Sequence, residues 1–212
     1  EQINRANMMN CPPGLEYLLQ VKENNPFLAG YETSNKYKVL NSLGQIVYLA
    51  AEESNLYSRQ FFGPLRSFRI HILDHLGHEV IQLVRPFRCS GCCGCCMQQM
   101  EVQAPPGTVV GYIFQTWHPC LPRFTIQNEL KEPVLRIHGP CFVGCSVVIK
   151  SFDETETIGK ISKQFSGLLK EIHTDTDLFG IQFPIDLDVK MKAVMLGACL
   201  LIDYMFYEES NN

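Results

Sequence analysis

A mainly β domain finished by one apolar C-terminal helix is the fold this 212-residue sequence predicts, on three observations. Apolar and polar residues alternate in paired runs split by Asn, Asp, Gly and Pro turns, the signature of antiparallel hairpins. Five such pairs follow one another, so the sheet is a meander that must curl or close to protect its edges. Residues 189–207 are instead apolar all round, which marks a helix enclosed by protein or lipid.

The first hairpin joins 36–41 to 45–50 through Ser42, Leu43 and Gly44; the second joins 68–73 to 78–84 through 74–77. Both turns place Gly late, where a positive φ costs nothing. The third runs from 100–104 through Pro105, Pro106 and Gly107 into 109–114, and the fourth from 123–127 through 128–131 into 134–138. The fifth runs from 146–152 through 153–157 into 158–162, and 179–185 supplies an eleventh strand. Residues 163–171 form a short helical candidate whose role is packing.

Composition narrows the classes. Hydrophobic residues are 46% and charged residues 19% of a 24.1 kDa chain, which fits one folded domain and excludes collagen, coiled coil and disordered classes. With 18 Lys and Arg against 22 Asp and Glu, the net charge of −4 disfavours non-specific nucleic-acid binding. Residues 1–10 show neither an initiator Met nor a charged-then-apolar leader, so the sequence reads as part of a longer chain.

Five of the 10 cysteines are Cys89, Cys92, Cys93, Cys95 and Cys96. Adjacent cysteines suit a dispersed disulfide framework poorly, which points to a reduced, cytosolic chain. Their overlapping C-x-x-C pairs allow zinc, with Cys141 and Cys145 completing four ligands, but two predicted strands intervene and a compact ribbon fits poorly. A second chemistry makes the thiolates acyl acceptors, with Arg85 and Arg88 upstream to hold anionic headgroups. A redox-sensitive loop is the plain alternative.

The apolar stretch is short for a membrane span. Residues 193–207 reach about 22 Å as a helix, against a hydrocarbon core of about 30 Å. Asp203 adds a penalty of about 2.5–3.5 kcal/mol near a bilayer centre. Lys190 and Lys192 would snorkel at the other end. Length and charge together favour a helix sheltered inside the sheet, where Asp203 needs a partner.

Residues 175–186 read as a degenerate twelve-residue calcium loop. Asp175 and Asp177 stand at positions one and three, Gly180 at six, the Ile181 carbonyl at seven and Asp186 at twelve, while Phe179 and Phe183 fill positions that usually supply oxygen. Such a site would be weak, on the order of 10⁻⁴ to 10⁻³ M. The plain alternative is an acidic turn leading into a strand. His71, His75 and His78 fall on the two arms and the turn of one hairpin, which does not bring them together. Trp117 and His118 read as a packing turn. No Gly-rich phosphate loop, H-E-x-x-H or G-x-S-x-G motif occurs.

Longer strings carry a resemblance. Cys11-Pro-Pro-Gly-Leu-Glu-Tyr-Leu18, Val102-Gln-Ala-Pro-Pro-Gly107, Gln115-Thr-Trp-His-Pro-Cys-Leu-Pro122, Phe124-Thr-Ile-Gln-Asn128, Gly159-Lys-Ile-Ser-Lys163 and Phe179-Gly-Ile-Gln-Phe-Pro184 through Asp186-Leu-Asp-Val-Lys-Met-Lys-Ala193 resemble the phospholipid scramblase family across nearly the whole chain. The resemblance implies calcium-dependent, ATP-independent, bidirectional lipid movement between leaflets, and a tubby-like closed barrel of about twelve strands around a central C-terminal helix. It implies residues 1–30 as an N-terminal segment, partly extended, and 31–212 as the barrel domain with helix 189–207. It assigns Cys92, Cys93, Cys95 and Cys96 to palmitoylation, 175–186 to calcium, and Lys160 and Lys163 to a nuclear-import segment read by an importin-type carrier. Location follows as the cytoplasmic face of a membrane, with the nucleus open to unacylated protein, and with a homo-oligomer among the partners.

The sequence departs from the family pattern in several places. A Pro-rich N-terminal tail is missing, and the chain is shorter within 20–30 and 141–151, where either gap would open a barrel. Phe165 stands where the family has Trp, and Leu178 replaces a polar residue. Two readings of function follow: a passive lipid translocator, and a palmitoyl-switched adaptor that binds proteins or DNA. A conventional enzyme has no convergent catalytic set behind it.

Overall fold

The computed structural model describes residues 11–20, 27–31, 36–41, 43–53, 67–87, 97–118, 121–139, 146–164, 178–183 and 187–206. Helix α1 is Glu16–Gln20. The strands are β1 Phe27–Tyr31, β2 Lys36–Leu40, β3 Ile46–Glu53, β4 Phe68–Leu73, β5 Glu79–Arg85, β6 Gln99–Gln103, β7 Val109–Thr116, β8 Arg123–Asn128, β9 Pro133–His138, β10 Ser146–Ser151, β11 Thr157–Gln164 and β12 Leu178–Gln182; helix α2 is Val189–Phe206. Each strand pairs antiparallel with the next in chain order. β12 returns to β1 through Phe27↔Gly180, Leu28↔Phe179 and Ala29↔Leu178, which gives the strand order of a closed barrel.

All five predicted hairpins are present, and each carries a register shift near its turn, at Val39/Leu40, Ile72/Leu73, Val102/Gln103, Ile126/Gln127 and Ile149/Lys150. A bulge bends its strand and deepens the twist, so five in corresponding places curl the meander. The five turns share one end of the wall, the hairpin end. The connections after β1, β3, β5, β7, β9 and β11 share the other, the far end.

Three turns are built alike. The Oδ1 of Asn41, Asp74 and Asn128 each accepts the N–H groups two and four residues on, at 2.8 to 3.0 Å. The fourth residue of each turn is left-handed: Gly44 (φ 77°), Gly77 (φ 83°) and Lys131 (φ 64°). At the first two, Gly is the residue that takes this conformation without strain.

Alternation decides which side chains face inward. Phe68, Ile70 and Ile72 of β4, Ile81 and Leu83 of β5, and Met100 and Val102 of β6 are buried, with exposed or half-buried residues between most of them. They surround α2, in which every residue from Met191 to Ile202 is buried. A helix ringed by strands has no wet face, which explains its lack of amphipathic pattern. Fully burying Leu196, Leu200 and Leu201 stabilises the fold by about 1.5–3 kcal/mol each. Contact with the wall is tight: a Cβ on Gly111 of β7 would lie 2.5 Å from the Gln127 carbonyl and 2.7 Å from Val194.

The segment ahead of β1 closes the hairpin end. Leu15 and Leu18 are fully buried, the Tyr48 hydroxyl donates to the Gly14 carbonyl at 2.9 Å, and the Lys192 ammonium donates to the Leu18 carbonyl at 3.3 Å. Several expectations change accordingly. The sheet begins at Phe27, inside the segment assigned to 1–30, and Leu15 and Leu18 of that segment belong to the core. Strands β1 and β10 lie where the chain is short, so neither shortening removes a strand. Lys163 and Gln164 end β11 rather than start a helix, and 165–171 lie outside the described residues. Neither lysine snorkels toward lipid: Lys192 is 2% exposed, and Lys190 pairs with Glu129 of the β8–β9 turn at 3.1 Å.

Candidate functional site

The far end of the wall carries the strand ends next to the cysteine cluster in sequence. There β5 ends at Arg85, β6 starts at Gln99, and the connection between them contains the cysteine cluster. Cys92, Cys93, Cys95, Cys96 and Arg88 lie outside the described residues, as do Cys141 and Cys145. Among the described residues no group of His, Cys, Asp and Glu is placed to hold a metal ion.

Arg85 is a correction. It is 2% exposed, with its guanidinium carbon 4.6 Å from the Tyr204 ring centroid and 5.1 Å from that of Phe68. Its Nε and Nη2 both donate to the Gln98 Oε1, at 3.1 and 2.5 Å. A cation over two aromatic faces near a helix C-terminus is doubly favoured. Arg85 therefore fastens the end of α2 to the wall and does not meet lipid headgroups. Its position was legible, because Ile81, Leu83 and Arg85 share one parity of an alternating strand. Arg85→Ala is expected to destabilise the fold by about 2–4 kcal/mol through lost packing and lost stacking, read as a lower urea midpoint. Unchanged stability with weakened lipid binding would restore the headgroup role.

Asp203 is half-buried, one turn from Cys199 on α2. Burial first, and the Asp203 carboxylate second, push the Cys199 thiol well above its ordinary value.

Of the acidic segment, residues 178–183 are described. Its middle is β12, with Gly180 paired to Ser162 and Phe27, and Ile181 paired to Ile161 and fully buried. Five extended residues span about 13 Å, where a twelve-residue loop must turn sharply around its ion. The described residues of this segment do not fit such a site. Asp175, Asp177 and Asp186 lie outside the described residues, ahead of β12 and beyond it.

Lys160 is exposed on β11, but its strand is paired on both sides, to Val148 of β10 and Gln182 of β12. Lys163 pairs with Phe179. A carrier that reads an extended peptide would have to free β11 first.

The three histidines do not converge, as expected, and His71 has partners the sequence did not announce. Its Nδ1 lies 2.7 Å from Glu79 and its Nε2 3.0 Å from Glu53. Partial desolvation pulls its pKa down, but hydrogen bonds to both carboxylates outweigh it, and the net shift is upward. It staples β3, β4 and β5 on the outside of the wall.

Trp117 is the second correction. It is 72% exposed, so it does not anchor packing. His118 does order its turn, accepting the Leu121 N–H at 3.0 Å.

The family profile and the named relatives agree with each other. The profile of the family described as Scramblase matches residues 3–209. The chain is 57% identical over 215 residues to phospholipid scramblase 2 of Bos taurus, covering 94% of this chain and 73% of that protein. It is 56% identical over 219 residues to phospholipid scramblase 1 of Homo sapiens, covering 96% and 69%, and 50% identical to the human phospholipid scramblase family member 5, covering 95% and 80%. A solved protein of Arabidopsis thaliana superposes with a TM-score of 0.49 at 12% identity, over 84% of this chain and 91% of that one. On the family profile and these identities, the chain belongs to the scramblase family.

Proposed function

We propose that this chain moves phospholipids passively and in both directions between membrane leaflets, held at the cytoplasmic leaflet by acyl chains on Cys92, Cys93, Cys95 and Cys96. The observation that carries the reading is family membership along nearly the whole chain, with 57% identity to a named phospholipid scramblase. A tubby-like barrel around a sheltered helix is the architecture that goes with it. Among the described residues no helix is long and apolar enough to cross a membrane. In this fold α2 offers lipid headgroups no polar groove, so lipid crosses where anchored barrels, as homo-oligomers, disturb the bilayer, or after α2 leaves the barrel.

Calcium dependence would rest on Asp175, Asp177 and Asp186, which flank β12 in the sequence. Liposome reconstitution tests both points. Purified protein should raise the flip rate of labelled lipid in either direction without ATP. A calcium titration beside Asp175→Asn, Asp177→Asn and Asp186→Asn combined shows whether these carboxylates matter. A flip rate equal to that of protein-free vesicles would overturn the transport reading.

The sheltered helix favours a second reading, a palmitoyl-switched adaptor at the membrane or in the nucleus. Replacing the four cysteines by Ala would then relocate the protein to the nucleus, and liposomal flipping would be absent.

A further inference from the structure

Four basic side chains gather on the outer face of β8, β9 and β10, and all four are described residues. Arg123 of β8 stands opposite His138 of β9, and Arg136 of β9 stands opposite Lys150 of β10. Their neighbours Phe124, Ile137 and Ile149 are buried, so alternation turns the four outward within about 10 Å of sheet width.

One carboxylate answers them. Glu154 in the β10–β11 turn has a left-handed backbone (φ 62°), uncommon for a residue with a Cβ, and its side chain lies back over β9. Its Oε1 is 3.3 Å from Arg136 Nη1 and its Oε2 is 3.5 Å from His138 Nε2, both long for charge-assisted hydrogen bonds. Arg136 is held for this contact by Phe152, whose carbonyl accepts its Nε–H at 3.2 Å and whose ring centroid lies 5.0 Å from its guanidinium carbon. Asp153 of the same turn is engaged by Ser151 and Thr155.

The cradle is incompletely filled. Arg123 Nε and His138 Nε2 are both shut off from solvent, and neither makes a hydrogen bond. Buried polar atoms are ordinarily paired. Lys150 has no carboxylate partner among the described residues. Partial burial first holds the His138 pKa below its ordinary value, and the charges of Arg123, Lys150 and Arg136 push the same way against the pull of Glu154.

We infer that Arg123, Arg136, His138 and Lys150 form a binding site for a phosphate-type anion, in which Glu154 is a displaceable internal stand-in. A phosphate group carries more acceptor oxygens and more charge than a carboxylate, so it can reach the open nitrogens and Lys150 together. Inorganic phosphate and the phosphomonoester headgroup of a lipid share this chemistry. The site goes beyond the transport reading and holds whether or not the chain moves lipid.

The full chain is titrated with inorganic phosphate at low ionic strength while histidine ring protons are followed by NMR, with His138 assigned by its loss in His138→Gln. The His138 signal should move saturably, and that of exposed His75 should stay. Arg136→Gln should weaken binding roughly fivefold or more, and Glu154→Gln, which removes the competing charge and keeps the shape, should tighten it by a similar factor. A gain in affinity cannot come from unfolding, so the Glu154→Gln arm decides even where Arg136→Gln lowers stability. Cosedimentation with phosphatidylcholine vesicles, with and without phosphatidic acid, identifies the source. A phosphatidic-acid response strengthened by Glu154→Gln marks a headgroup, and phosphate binding without it marks a soluble ligand. A His138 signal unmoved by phosphate, or a Glu154→Gln protein that binds phosphate no more tightly than the parent, would overturn the site.

Discussion

Leu196→Asp is expected to unfold this domain, with a loss of at least about 4 kcal/mol, because an unpaired carboxylate would be sealed inside the barrel. Leu196 is fully buried at the centre of α2, and every residue from Met191 to Ile202 is buried with it. Leaving a charge there costs several kcal/mol, against a total stability of about 5–15 kcal/mol for a typical domain. Urea titration followed by far-UV circular dichroism reads the effect. Leu43→Asp, at a turn tip 79% exposed, is the control and should stay within about 0.5 kcal/mol of the parent. A Leu196→Asp protein as stable as that control would mean that α2 does not sit inside the sheet.

Cys199 provides an independent measure of the same enclosure. It is 1% exposed, and burial with the nearby Asp203 carboxylate keeps its thiol protonated at neutral pH. Because the thiolate is the reactive form, alkylation needs an opening that wets the helix. Pulse alkylation of native protein, with peptides read by mass spectrometry, should label Cys199 more slowly than in denatured protein by roughly a thousandfold or more, in line with global unfolding. Half-buried Cys11 should react sooner. Adding vesicles should leave Cys199 protected if the barrel docks intact. A native rate within about tenfold of the denatured one would show that α2 is readily exposed.

Both experiments bear on how such a chain handles lipid. The strand ring, the plug formed by Leu15 and Leu18, and the Arg85 stack hold α2 along its length. Inserting this helix into a bilayer would forfeit its contacts with Ile113, Val102 and Leu83 around Gly197 and carry Lys192 out of its bond to the Leu18 carbonyl. The fold as it stands keeps α2 within the sheet rather than in lipid.

The hairpins were legible because alternation and turn chemistry are local. Asn41, Asp74 and Asn128 each organise a turn through their own side chains, and the residues that follow complete it within five positions. The enclosed helix was legible too, since fifteen positions, apolar but for Asp203 and too short to span a bilayer, need shelter in protein. Strand β1 escaped, as Phe27–Tyr31 contains Ala and Gly and acquires strand character from β2 and β12 on either side. Arg85 and Trp117 were read the wrong way round, the charged residue as surface and the aromatic as core. Residue type argued for those assignments, but Arg85 meets Tyr204 across 119 residues of chain, with Phe68 beside it, and Trp117 sits beyond the end of its strand.

The acidic segment shows the same division. Its spacing of carboxylates and Gly matched a calcium loop, while its alternating Phe179, Ile181 and Phe183 matched a strand, and one stretch of sequence cannot choose between them. Pairing with β11 and β1 chose the strand, because an extended backbone with partners on both sides satisfies more hydrogen bonds than a lone loop. Local pattern thus sets where strands and helix form. Which side chains end up enclosed depends on closure, since burial is a property of distant segments brought together.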